Sequence, residues 1–107
     1  MNGIEEYMSR INELLIANFD ADKLLATSEE AMENFPSQPF FYYANGTALS
    51  RLQKHNDAIE ILETSLDYLI DDIALENKIY KELANAYTAI NNTSKANMYL
   101  SKIKPGF

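Results

Sequence analysis

Gly46 lies inside the run Phe40 to Gln53, whose other residues suit a helix, and a glycine there costs roughly 1 kcal/mol relative to alanine. A residue kept at that cost needs a packing reason, and Ala58, twelve residues further on, suggests one. If the chain turns at Gln53 to Asn56, the two small residues face each other on antiparallel helices and let the backbones approach. Phe40 to Leu69 therefore reads as a closely packed helical hairpin, and the rest of the chain is organised around it.

The same spacing recurs. A shift of 38 residues places Tyr42 on Tyr80, Gly46 on Ala84, Leu49 on Tyr87, Ala58 on Ala96 and Leu62 on Leu100. Both copies keep twelve residues between the small positions, which a bundle without repeats has no reason to do. Apolar periodicity supplies the other helices. Helix one spans Asn2 to Asn18, with Asn2 as N-cap and Ile4, Tyr7 or Met8, Ile11, Leu14 and Leu15 on one face. Helix two follows the acids Asp20 and Asp22, buries Leu24, Leu25, Ser28, Ala31 and Met32, and stops at Pro36. Ser37 is the expected cap of helix three, with Pro39 in its first turn. Asn56 is the expected cap of helix four, whose stripe is Ala58, Ile59, Leu62, Leu66 and Leu69. Asp71 and Asp72 separate it from helix five, which buries Ile79, Tyr80, Leu83, Ala84, Tyr87 and Ile90. Asn91-Asn92-Thr93 turns into helix six, with Ala96, Tyr99 or Leu100 and Ile103 inward and Pro105-Gly106 at its end. Short connections between six helices imply antiparallel neighbours.

A chain of 107 residues that is 47% apolar, with three glycines and three prolines, is expected to form one ordered domain, residues 1–107. No apolar run approaches the roughly 20 residues of a membrane span. Met1 to Ile16 lacks the basic start and apolar block of a signal peptide, which favours a cytoplasmic setting. The length also suits a piece of a longer protein, and the lack of cysteine leaves the compartment open. The net charge of −7 is uneven: −6 over residues 1–38, −5 over 39–76 and +4 over 77–107. Such an acidic body argues against nucleic acid as partner, because that binding depends on lysine and arginine neutralising phosphates.

Little in the chain suits catalysis. His55 is the only histidine and falls in the turn between helices three and four. The pairs Asp20/Asp22 and Asp71/Asp72 read as helix caps, since no glycine-bearing calcium loop follows either. The sequons at Asn45, Asn91 and Asn92 carry no weight without a secretory signal, and Asn45 is expected inside a packed helix. No nucleophile constellation or phosphate-binding loop is present, so no enzymatic activity, cofactor or metal is expected.

Tyr42, Gly46, Leu49, Ala58 and Leu62, then Tyr80, Leu83, Ala84, Tyr87, Ala96 and Leu100, resemble the tetratricopeptide repeat. The signature of that family is an aromatic, Leu-Gly, Tyr and Ala-x3-Phe in a 34-residue unit. A degenerate first unit places Met8, Ile11, Asn12, Leu15, Leu24, Ser28, Ala31 and Pro36 at the corresponding positions. The resemblance implies an all-α, right-handed superhelical stack of antiparallel helix hairpins, an α-solenoid of about six helices in units of about 3–36, 39–72 and 77–105. The four residues beyond the usual 34 fall around Ile70 to Ala74, where they are expected to lengthen helix four or its connection.

By the same resemblance the chain is a non-catalytic scaffold that holds a partner protein or peptide in a concave groove lined by the first helix of each unit. The groove positions are then Ser9 and Glu13, Tyr43 and Thr47, and Lys78, Lys81 and Asn85, with an acidic ligand expected for the lysines. The alternative is a self-assembly element, a weak homo-oligomer formed through the C-terminal helix. Met98, Ile103 and Phe107 would supply apolar contacts, or Lys95, Lys102 and Lys104 would meet Glu5, Glu29, Glu30 or Glu33 head to tail.

Overall fold

The ring of Pro39 fixes its φ and removes an N–H that the first residue of a helix has no use for, and Pro39 opens the helix that carries most of the core. In the computed structural model, which describes residues 3–105, the chain forms six α-helices. They are α1 Gly3–Ile16, α2 Ala21–Asn34, α3 Pro39–Arg51, α4 His55–Tyr68, α5 Ile73–Ala89 and α6 Thr93–Lys102, with no strand among the described residues. The expected contributions of Asn2, Gly106 and Phe107 lie outside the described residues. None of the helices is long and apolar enough to cross a membrane.

Eight of the thirteen residues of α3 are buried, from Phe41 to Ser50, so this helix is enclosed on nearly every side rather than along one stripe. Its neighbours are α1, α2, α4 and α5. The other contacts join helices consecutive in the chain; neither α2 with α4 nor α4 with α6 meets among the described residues. Two apolar clusters result. Ile11, Leu24, Ala31, Phe41, Ala44 and Ala48 fill the space between α1, α2 and α3. Leu49, Ala58, Ile59, Leu62, Leu75, Ile79, Leu83, Ala84, Ala86, Tyr87, Ala96 and Tyr99 fill the space from the end of α3 to α6.

Gly46 has its packing reason, but Leu62 supplies it rather than Ala58. A Cβ built on Gly46 would stand 2.5 Å from Leu62 Cγ and 2.6 Å from Cδ2, so the glycine is the hole into which that leucine fits. The third hairpin has Ala84 at the matching place. There the added methyl takes the space a leucine would need, Leu100 is 50% exposed, and Tyr99 is buried in its stead. Tyr99 stacks on Tyr87 and Tyr80 at 5.8 and 5.9 Å, and its hydroxyl and that of Tyr87 both donate to Glu63 Oε2, at 2.7 and 3.0 Å.

The two later hairpin turns are the same structure 38 residues apart. Lys54 N–H donates to the Leu49 carbonyl and Gln53 N–H to Ser50; Asn92 N–H donates to Tyr87 and Asn91 N–H to Thr88. This is the paired bonding of a Schellman cap, and Gln53 and Asn91 hold its left-handed position at φ 67 and 64.

Several expected helix ends are corrected. Asn56 does not cap α4: the helix already begins at His55, and Lys54 precedes it without a side-chain cap. Gln38 rather than Ser37 precedes α3, again without a side-chain cap. Asp20 and Asp72 do cap, accepting from Lys23 N–H and Leu75 N–H, and Asn92 caps α6 through Lys95 N–H. The four extra residues lengthen neither α4, which has 14 residues like α2, nor its connection; they extend α5 to 17 residues against 13 in α3. Asp72 captures the first turn of α5, and that turn in turn anchors the tail. Asn77 donates to the Lys104 carbonyl and accepts from its N–H, while Glu76 meets Lys104 Nζ at 3.3 Å.

Candidate functional site

The odd-numbered helices pack side by side, α1 on α3 and α3 on α5, and leave a groove along their shared face. A cavity of about 390 Å³ there is lined by Asn12, Leu15, Ile16 and Phe19, by Phe40, Tyr43, Thr47 and Arg51 of α3, and by Lys78 and Glu82 of α5. A second cavity of about 310 Å³ shares Asn12, Phe40 and Lys78 with it and adds Met8, Leu75 and Asp72. The two form one trough crossing three helices.

Local structure explains who lines it. Phe40 and Tyr43 lie three residues apart on α3, one helical turn, with ring centroids 6.2 Å apart. Thr47 follows one turn later and is 3% exposed, its Oγ1 buried without a partner in hydrogen-bonding geometry. Arg51 comes one turn further and clasps Glu82 of α5 with two parallel bonds of 3.1 Å. Glu82 is nearly enclosed, and Arg51 is about half open to solvent. The paired bonds raise the Arg51 pKa, so the guanidinium stays charged. Burial raises the Tyr43 hydroxyl above its ordinary value, the Glu82 carboxylate raises it further, and the nearby Thr47 hydroxyl and Arg51 charge offset part of this. At the other wall Ile16 and Phe19 stand 83% and 48% exposed.

Of the seven residues expected to face a groove, Tyr43, Thr47 and Lys78 come together here. Ser9, Lys81 and Asn85 are exposed but line neither cavity. Glu13 lines a different hollow of about 620 Å³ at the α1–α2 turn with Arg10, Asn18, Asp20 and Lys23. That hollow involves one hairpin alone, and its Arg10–Glu30 pair, 3.7 Å apart, is exposed at both ends. The residues that sequence reasoning missed are Asn12, Leu15, Ile16, Phe19, Phe40, Arg51 and Glu82. Arg51 and Glu82 carried no local signal, since 31 residues separate them, whereas Ile16 and Phe19 could have been noticed as apolar residues beyond the helical stripe.

The trough contains no histidine, and its one close ion pair is saturated, so it offers surfaces and hydrogen-bonding groups rather than a reacting pair. Among known proteins, no family model, curated protein or solved structure matches this chain. The argument for its role rests on its own geometry.

Proposed function

We propose that this protein is a non-catalytic scaffold of the tetratricopeptide kind, a right-handed stack of three helix hairpins that holds a partner peptide or protein in the trough along α1, α3 and α5. The observation that carries the reading is that trough, which spans all three hairpins and leaves Ile16 and Phe19 uncovered on its wall. Two features of the packing support it. Each hairpin meets only the next one along the chain, and first helices meet while second helices do not, as expected of a quasi-one-dimensional stack. The matching Schellman turns at Gln53 and Asn91 extend the 38-residue repeat from side chains to backbone.

Asn12 lies where the two cavities join and is exposed, so Asn12→Trp should fill the trough and leave the fold intact. Capture from a lysate of the native host with the parent chain and with this variant tests the reading. A partner retained by the parent and lost by Asn12→Trp supports it; identical capture by both overturns it.

A second reading, self-assembly through the C-terminal hairpin, is favoured by Met98 and Leu100, which the packing of α6 leaves exposed.

A further inference from the structure

On the reading that the trough binds a partner, its chemistry narrows what that partner carries. The Thr47 hydroxyl is the first clue. In mid-helix a threonine hydroxyl usually bonds a carbonyl one turn back, yet here it is buried in the trough wall and unpaired. A buried polar group without a partner costs about 1–3 kcal/mol, which a ligand could relieve by bringing a backbone N–H or carbonyl. An extended peptide has those groups free along its edge, whereas a helix has already paired them internally.

The apolar wall is the second clue. Leu15 is half-buried and packs against the core of the first hairpins, but Ile16 and Phe19 extend past it into solvent. Exposed apolar side chains beside a cavity are what a partner's apolar side chain would cover.

Charge is the third. Of the charged residues that line the trough, Arg51 and Glu82 neutralise one another, and Asp72 is occupied as the cap of α5. Lys78, shared by both cavities, is exposed and has no ion-pair partner, and it stands out in a chain of net charge −7.

We propose that the ligand is an extended peptide segment with an apolar side chain seated on Leu15, Ile16 and Phe19 and a carboxylate that meets Lys78, its backbone bonded to the Thr47 hydroxyl. The carboxylate and the anchor are separated by the width of α3, so the motif is an acid and an apolar residue at fixed spacing rather than a run of acids.

A library of random peptides displayed on phage and panned against the full chain tests this. Enriched peptides should share a Leu, Ile or Phe and an Asp or Glu at constant separation. Synthetic copies, measured by fluorescence anisotropy, should lose about tenfold or more in affinity for Ile16→Lys and for Lys78→Glu, the scale of one anchor or one charge-assisted contact. Both side chains are exposed, so melting should stay unchanged. Replacing the peptide's acid by lysine should restore binding to Lys78→Glu, and Thr47→Val should weaken binding while leaving the protein folded. If enriched peptides lose binding to Asn12→Trp but carry no shared acid, or bind Lys78→Glu and Ile16→Lys as well as the parent, this proposal falls and the binding trough stands. If they bind Asn12→Trp unchanged, or if no peptide is enriched, the trough reading falls with it.

Discussion

At Gly46 a missing methyl outweighs helix propensity. Gly46→Ala would gain roughly 1 kcal/mol in the helix, but the new Cβ would collide with Leu62 Cγ at 2.5 Å. Overpacking of that kind costs about 1–3 kcal/mol, so the variant should be less stable than the parent. With Leu62→Ala as background the clash disappears and the same change should become stabilising. Urea unfolding of the four proteins checks this, and additive effects would show that Leu62 is not the reason for the glycine. Thr47 points the other way. Thr47→Val keeps the shape and removes an unpaired buried hydroxyl, so it should raise the unfolding free energy by about 1 kcal/mol. A loss of stability would mean that the hydroxyl is hydrogen-bonded in solution.

At the scale of the element, the hairpin turns use left-handed residues that are not glycine. Asn tolerates that conformation and Gln does not, so Gln53→Gly should stabilise the protein by up to about 1 kcal/mol and Asn91→Gly by less. Differential scanning calorimetry of the two variants would show the order. The joint between α4 and the last hairpin depends on protonated tyrosines. Burial raises the Tyr99 and Tyr87 pKa values, and the hydrogen bonds and negative charge of Glu63 raise them further. A folded-state pKa above the unfolded value gives stability that is complete below about pH 10 and lost as pH rises through the folded values. Urea midpoints should therefore fall above about pH 10, and Tyr99→Phe should flatten that fall. A Tyr99→Phe profile as steep as the parent's would place the loss elsewhere.

For the whole molecule, the charge contrast between an acidic front and a basic end suggested head-to-tail association. Tertiary structure has already engaged several of the charges involved: Lys104 with Glu76, Glu30 with Arg10, and Lys95 over the Tyr87 ring at 5.9 Å. Exposed pairs contribute about 0–1 kcal/mol each, so any association they drive should be weak and disappear as salt rises. Association through Met98 and Leu100 should instead survive salt and be abolished by Leu100→Lys, whose side chain is half exposed. Light scattering across salt and protein concentration separates the two mechanisms, and a monomer under every condition removes self-assembly as a reading.

Six helices, their order and most of their buried faces were legible in the chain because those features follow from local rules. Apolar residues recur every three or four positions, Pro39 opens a helix, and Asp20 and Asp72 cap the helices that follow them. The 38-residue repeat was also legible, since it is a property of the string itself. Contacts between hairpins were not. That Leu62 fills the hole at Gly46, that Tyr99 displaces Leu100 from the last hairpin, and that the inserted turn lengthens α5 all depend on volumes meeting across helices. The trough is the clearest case. Arg51 meets Glu82, and Asn12 comes beside Phe40 and Lys78, only because α1, α3 and α5 pack in one row, and no local pattern encodes which side chains that row brings together.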